Sequence, residues 1–369
     1  MNKKTVAVLF GGCSVEHEIS LISARSIIKN IDPGSYDILP VFINKAGKWL
    51  QIDLEKFVDN ELKVSEDHCY IPSLGFDQRP KFYELKDNIV VNAIDVDLAF
   101  PVLHGTYGED GTIQGLFELM GLPYVGASVL GSAIGMDKIA MKCLLRNYGL
   151  PVTDFIGFIK NEWERNSSDI TDKITGQIGF DCFVKSADLG SSIGISKVKK
   201  IEDLHNAVSE SFKYSQRVLV EKAVNNCREL EVSVLGNEDP IASLPGEVSP
   251  GREFYDYIAK YDDESTSLEI PAKLPEEIIK KLQQLAVDTF KALACSGLGR
   301  VDFLMDDKTK EIYISEINTI PGFTSISMYP KLWEVTGISY GELINRLFDL
   351  ALKRFADRQL LETDYDSSI

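Results

Sequence analysis

The opening of the chain does most to restrict its fold. Thr5 to Phe10 is an unbroken run of β-branched and apolar residues. Gly11-Gly12-Cys13-Ser14 follows, and Ile19, Ile22 and the pair Ser26-Ile27 then recur at i, i+3, i+7 and i+8. A short apolar run without polar alternation predicts a strand buried on both faces, and the second spacing predicts a helix. Glu16 and Glu18 fall in the predicted first turn, where the helix macrodipole favours negative charge. Strand, glycine turn and helix in this order begin a parallel α/β sheet, which needs covering elements on both faces. Ile38 to Ile43 and Leu98 to Val102 supply further apolar runs, Gly111 to Met120 another helix, and Pro123-Tyr124-Val125-Gly126 a last strand and exit. The polar, aromatic-spotted stretch from about Asp53 to Asn88 reads as an insertion or peripheral hairpin.

With 369 residues the chain exceeds one ordinary hydrophobic core and predicts two or three domains. Asp137 reads as the N-cap of a helix through Ile139, Cys143 and Leu144 to Gly149, stopped by Pro151. From Phe158 to Glu221, short strands around Cys182-Phe183-Val184-Lys185 and Gly194-Ile195-Ser196-Lys197-Val198 predict a small α+β unit. A third region follows, with strands near Leu230 to Leu235, Arg300 to Met305 and Ile312 to Ile317. Its helix from Pro275 to Cys295 carries Ile278, Leu282, Leu285, Ala286 and Leu293 on one face, with Pro275 at the first position. After Arg354 the tail turns polar and acidic.

Thirty-nine basic against 56 acidic residues give a formal charge of −17, which repels phosphate backbones and anionic headgroups and argues against nucleic-acid or membrane partners. An anionic substrate then needs locally placed cations. Six scattered cysteines without a C-x-x-C pair predict reduced thiols and a cytoplasmic location rather than a disulfide frame or zinc site. The apolar run after Lys3-Lys4 is too short for a signal peptide, and no run of about 18 apolar residues offers a membrane span.

The strongest chemical signal lies around Arg300-Val301-Asp302 and Glu316-Ile317-Asn318. Period-two alternation puts Arg300 with Asp302 on one strand face and Glu316 with Asn318 on one face of the next. An antiparallel register pairing 302 with 316 leaves a five-residue loop, 307 to 311. Two bare carboxylates about 4 Å apart repel by about 4 kcal/mol at an effective dielectric near 20, so positive charge must sit beside them. Hard oxygen donors without His or Cys suit Mg²⁺ or Mn²⁺; Arg300 as a structural salt-bridge partner satisfies the same repulsion. The turn Asn318-Thr319-Ile320-Pro321-Gly322 favours the metal reading, because it offers backbone N–H groups to an oxyanion just past the ligands.

Neither a G-x-x-x-x-G-K-[ST] loop nor a G-x-G-x-x-G follows any predicted strand. A Gly- and Ser-rich loop, Ser186 to Gly194, follows Lys185 and suits phosphates or a plain hairpin connection equally. Lys138, in the first turn after Asp137, opposes the macrodipole unless an anion is near. Glu221-Lys222-Ala223-Val224 and Glu229 sit where a base or ribose fits, or where a charged linker runs. The aromatic stretch Tyr255 to Asp262 around Lys260 reads as a lid or a pinned surface loop, and His104 opens a turn into a helix.

In order, F-G-G-C-S-V-E-H-E-I-S at 10 to 20, H-G-T-Y-G-E-D-G at 104 to 111, G-M-D-K at 135 to 138, the 185 to 194 loop, F-Y-D-Y-I-A-K-Y at 254 to 261, G-R-V-D-F at 299 to 303 and E-I-N-T-I-P-G-F-T-S-I-S-M at 316 to 328 closely resemble the D-alanine:D-alanine ligases of the ATP-grasp superfamily. The resemblance implies an ATP-grasp fold, α/β and α+β, with an N-terminal doubly wound, Rossmann-like domain at 1–126, a central domain at 127–222 and a C-terminal domain at 223–369. It implies that Lys138, Lys185, Ser192, Glu221, Val224 and Glu229 hold ATP, with Lys260 reaching its phosphates from the lid. Asp302, Glu316 and Asn318 would ligate two Mg²⁺ or Mn²⁺ ions. Glu16 would meet the first substrate's ammonium, with Ser191 and Tyr261 orienting it and the lid. His104 would line the substrate site, Ser327 and Met328 would receive the second carboxylate, and Arg300 with the Gly322 N–H would stabilise the oxyanion.

The implied reaction joins two D-alanines through an acyl phosphate, for peptidoglycan precursors, in a cytoplasmic homodimer. Water would hydrolyse that intermediate, which gives a reason for lids at 186 to 194 and 251 to 264. Ile258 stands where many relatives carry an acidic residue. Tyr261 and a lid without histidine favour an amine nucleophile over lactate. D-serine or D-lactate as acceptor is the alternative within the class, and a non-catalytic nucleotide-binding regulator the alternative outside it.

Overall fold

The computed structural model describes residues 3–75, 77–190, 194–249 and 267–362, and three sheets organise them. The first contains β1 (Lys4–Gly11), β2 (Tyr36–Ile43), β3 (Trp49–Ile52), β4 (Val64–Leu74), β5 (Pro80–Lys86), β6 (Ile89–Asp95) and β7 (Leu98–Val102), in the order β6-β5-β4-β3-β2-β1-β7. β1 runs parallel to both β2 and β7. Its alternate residues feed two cores: Val6, Val8 and Phe10 face α1 (His17–Asn30), while Ala7 and Leu9 face α3 (Thr112–Met120), so both faces are buried. At Gly11 the backbone turns with φ +91°, and a Cβ there would run into the Ile43 carbonyl. Only glycine lets the strand end this close to its neighbour.

Several expectations change. Ile22 is 47% exposed; Leu21, Ala24 and Ile28 join Ile19 and Ile27 in burial, so the buried stripe is rotated from the expected one. Glu16 is the N-cap of α1 rather than a first-turn residue, and its side chain makes no capping bond. Within 53–88 the expected peripheral hairpin is present as β4 and β5, but it is preceded by α2 (Leu54–Val58) and, with β6, belongs to the main sheet, which it extends antiparallel. In β4 both faces are largely half-exposed or exposed, so burial left no clean period to read. The 123–126 segment makes only an isolated parallel bridge, Ala99 to Tyr124.

After α4 (Val129–Met136) and α5 (Lys138–Asn147), a second sheet of order β10-β9-β11-β8 is built from β8 (Phe155–Ile159), β9 (Cys182–Ser186), β10 (Ser196–Val198) and β11 (Arg217–Lys222). α6 (Lys160–Gln177) and α7 (Ile201–Ser211) cover it through Trp163, Ile174, Leu204 and Val208. Asp137 caps α5 as expected, accepting from the Ala140 N–H at 2.8 Å.

The third sheet, order β15-β14-β12-β16-β17 with β13 beside β12, comprises β12 (Cys227–Gly236), β13 (Ile241–Ala242), β14 (Gly246–Ser249), β15 (Ser267–Glu269), β16 (Gly297–Asp306) and β17 (Ile312–Asn318). α8 (Glu276–Ala292) packs Ile278, Leu282, Ala286 and Phe290 on it, with Pro275 as N-cap rather than first helical residue. Met141 and Leu145 of α5 share that core. α9 (Met328–Thr336) and α10 (Tyr340–Gln359) place Tyr329, Trp333, Leu347 and Phe348 against the β1 face of the first sheet. α10 continues past Arg354, whose buried guanidinium bonds the carbonyls of Gly126 and Tyr124. Among the described residues, no helix is long and apolar enough to cross a membrane.

Candidate active site

β16 and β17 pair antiparallel, with Arg300 opposite Asn318 and Asp302 opposite Glu316, and the loop between them spans 307–311 as the sequence predicts. A bulge changes the details. Phe303 pairs with Ile314, leaving Ser315 as the extra residue. Ile312 and Ile314 point into the core, and strict alternation would send Glu316 and Asn318 after them. The bulge reverses the phase, so Ile317 enters the core and the two polar side chains join Arg300 and Asp302.

Arg300 donates to both Asp302 oxygens at 2.7 Å and also pairs with Glu231 at 2.8 Å. Glu231, which sequence reasoning missed, lies opposite Asp302 on β12, so Glu231, Asp302 and Glu316 form one row across three strands. The Asn318 amide donates to Asp302 at 2.9 Å. Burial weakens the Arg300 charge, but Asp302 and Glu231 outweigh it and hold the guanidinium well above its ordinary pKa. Arg300 does not neutralise the carboxylates alone: Lys138, from the first turn of α5, reaches Glu316 at 3.2 Å. Lys138 also donates to the Leu189 carbonyl at 2.7 Å, tying α5 to the Ser- and Gly-rich loop.

Lys185 of β9 pairs with Glu221 of β11, whose other oxygen receives Lys142 at 2.9 Å and the Thr153 hydroxyl at 2.8 Å. Lys142 was not singled out from the sequence, because one lysine among the charges of a helix carries no spacing signal. Unpaired, a buried carboxylate costs several kcal/mol; here burial is overcome by the two lysines, and Glu221 stays far below the ordinary carboxylate range. Glu229 on β12 is near enough to Lys185 to raise its pKa, whereas Val224 is half-buried in the connection from β11 to β12.

At the edge of the first sheet, Glu16 is buried, and a Cβ on Gly105, where φ is +73°, would lie 2.6 Å from its carboxylate. His104 faces the Ile320 carbonyl through Nδ1 at 2.9 Å and Ser23 through Nε2 at 3.1 Å. A carbonyl only accepts, so Nδ1 carries the proton; burial lowers the ring's pKa against the pull of Glu16, leaving Nε2 to accept from Ser23. Glu109 accepts from the Ile320 N–H at 2.8 Å and the Gly105 N–H at 3.0 Å. Burial, then the charge of Glu16, pushes its carboxyl up to about 8. His104 and Glu109 thus grip both backbone polar groups of Ile320, on the way to Gly322. Sequence reasoning had Glu109 in a motif but gave it no role.

Ser327, N-cap of α9, hydrogen-bonds the Thr324 N–H and hydroxyl, and a Cβ on Gly322 would lie 2.9 Å from its Oγ. The Met328 side chain packs with Val248 and Leu332 in a small buried cluster. Ser191, Ser192, Lys260 and Tyr261, with Ile258, lie outside the described residues, as does the whole of the second expected lid, 251 to 264.

Asp302, Glu316 and Asn318 offer two carboxylates and an amide in register, without His or Cys, which fits a hard divalent ion. A carboxylate has about four lone-pair positions, enough for Asp302 to keep Arg300 while binding an ion. Lys138 on Glu316 and Lys185 close by, set beside a row of metal-suited oxygens where the second and third sheets meet, mark an ATP-grasp ligase. Comparison with known proteins agrees. Residues 5–127 match the family model described as D-ala D-ala ligase N-terminus, and residues 144–349 the one described as D-ala D-ala ligase C-terminus. The D-alanine--D-alanine ligase of Clostridium novyi is 46% identical over 95% of this chain and 99% of its own length. The solved D-alanine-D-alanine ligase of Coxiella burnetii superposes with a TM-score of 0.84 at 36% identity, covering 97% of both chains. VanG D-Ala:D-Ser ligase of Enterococcus faecalis gives 0.83 at 35% identity over 95% of this chain and 100% of its own. The chain belongs to the D-alanine–D-alanine ligase family.

Proposed function

We propose that this chain condenses two D-alanines to D-alanyl-D-alanine at the expense of ATP, releasing ADP and phosphate, for cell-wall precursors. The observation that carries the reading is the in-phase row of Arg300, Asp302, Glu316 and Asn318 facing Lys138, in a chain of this family. A carboxylate is a poor electrophile, so the first D-alanine's carboxylate must take ATP's γ-phosphoryl group before an amine can attack. Lys138 and Lys185 are placed to neutralise phosphate charge, with Glu221, Val224 and Glu229 around the nucleotide. Asp302, Glu316 and Asn318 would hold divalent metal, in our reading two Mg²⁺ or Mn²⁺ ions, which supplies charge neutralisation on the transferring group. Glu16 pairs with the first ammonium. The second D-alanine, its carboxylate at Ser327 and the Met328 N–H, attacks with its free amine. Arg300 and the Gly322 N–H receive the oxyanion, each such donor being worth about 3 to 4 kcal/mol. His104, both ring nitrogens engaged by the chain, acts by positioning the 320–322 loop. Ser191, Ser192, Lys260 and Tyr261 complete the reading on the lids.

The same reading includes domains at 1–126, 127–222 and 223–369, a homodimer, and a cytoplasmic location, the last supported by six free thiols. A D-serine acceptor draws support from the likeness to the D-Ala:D-Ser ligase, at 35% identity against 46% for the Clostridium novyi D-alanine--D-alanine ligase. ADP release measured with and without D-alanine, followed by product mass on equal D-alanine and D-serine, tests both. We expect D-alanine-dependent ADP and the mass of D-alanyl-D-alanine; a mainly mixed D-alanyl-D-serine product would transfer the assignment, and D-alanine-independent ADP would refute it.

A further inference from the structure

Glu221 carries two ammonium groups that differ in their surroundings. Lys185 is alone on Oε1, on a strand that leads into the Ser- and Gly-rich loop, and its side chain keeps 14% exposure. Lys142 shares Oε2 with Thr153, is 1% exposed, and is held from behind by the Thr153 hydroxyl at 3.3 Å and the Ile314 carbonyl at 3.4 Å. One lysine keeps partial exposure and the other is sealed in. If Glu221 had Lys185 as its sole partner, drawing Lys185 onto a phosphate would strand a buried carboxylate, which is strongly unfavourable. With Lys142 and Thr153 fixed on the other oxygen, Lys185 can exchange Glu221 for an anion while Glu221 remains paired.

We propose that Lys142 is a positioning residue for nucleotide binding: the standing counter-ion of Glu221 that frees Lys185 to bind the phosphates of ATP. The inference rests on the nucleotide reading of the Lys185 site. Lys142 never touches the nucleotide; its effect passes through Glu221. Removing its charge tightens the hold of Glu221 on Lys185, and that penalty vanishes once Glu221 is made neutral.

The test is calorimetric binding of ATP with Mg²⁺, without D-alanine, to the full chain and to Lys142→Met, Glu221→Gln, the double variant and Lys185→Met. We expect Lys142→Met to raise the Kd for ATP about tenfold in the wild-type background but less than about twofold in the Glu221→Gln background, a coupling within the range of contacting charged groups. KM for D-alanine stays unchanged. A purely structural lysine predicts the same loss in both backgrounds, tracking the fall in thermal midpoint, and that result overturns the inference. An unchanged Kd in Lys142→Met overturns it as well. Where Lys142→Met fails to fold, Lys142→Gln, which keeps a donor but not the charge, is measured against the same expectation. If Lys185→Met leaves ATP affinity intact, the nucleotide reading itself falls; if Lys185→Met loses binding while the coupling is absent, only the role of Lys142 falls.

Discussion

At the scale of single residues, two carboxylates separate the chemistry from its support. Asp302 sits between Arg300 and Asn318 in the row we propose for divalent ions. Asp302→Asn is expected to slow D-alanine-dependent ADP release about 100-fold or more, the equivalent of roughly 3 kcal/mol of lost charge stabilisation, while ATP binding measured by calorimetry partly survives. Unchanged turnover at matched Mg²⁺ would remove Asp302 from the metal assignment. Glu109 acts by holding the Ile320 N–H, and its pKa near 8 makes a pH signature. Between the ordinary carboxylate range and about 8 the unfolded chain has lost this proton and the folded chain keeps it, so stability falls as pH rises across that window and levels off above it. The thermal midpoint of the wild type relative to Glu109→Gln should therefore decline from pH 5 to about 8; a difference independent of pH would show that Glu109 titrates normally.

At the scale of elements, the site depends on one extra residue. Ser315 shifts the phase of β17 so that Ile314 and Ile317 both enter the core while Glu316 and Asn318 share the face of Arg300 and Asp302. Deleting Ser315 should turn both polar side chains toward the core, abolish ADP release and lower the thermal midpoint, whereas Ser315→Ala, which keeps the chain length, should leave turnover within about twofold. Turnover retained by the deletion would mean that the phase of β17 does not set the site. The pairing of Asp302 with Glu316 and the loop at 307–311 were legible in the sequence, because alternation and loop length are local signals. The bulge was not, since Ser315 has no signature of its own. The hairpin inside 53–88 was legible only as one of two readings for a related reason: in β4, half-exposed residues on both faces leave hydrophobicity without a period.

At the scale of the molecule, residues far apart in sequence meet at the Ile320 loop. His104 and Glu109 reach it from the first sheet, Ser23 receives the Phe323 N–H, and Arg354 of α10 clasps the exit of that sheet. Such contacts, separated by 200 residues or more, were invisible to spacing arguments, as was the Lys142–Glu221–Lys185 cluster assembled from α5, β11 and β9. The motifs gave the residues and their family; only the fold shows which neighbours hold them. The central claim is that one D-alanine is activated as an acyl phosphate before the second amine attacks. Carboxyl-¹⁸O-labelled D-alanine tests it most directly, by mass analysis of the phosphate released during turnover with ATP. The account predicts one labelled oxygen transferred from the carboxylate to each phosphate, and phosphate released without label, while dipeptide accumulates, would contradict it.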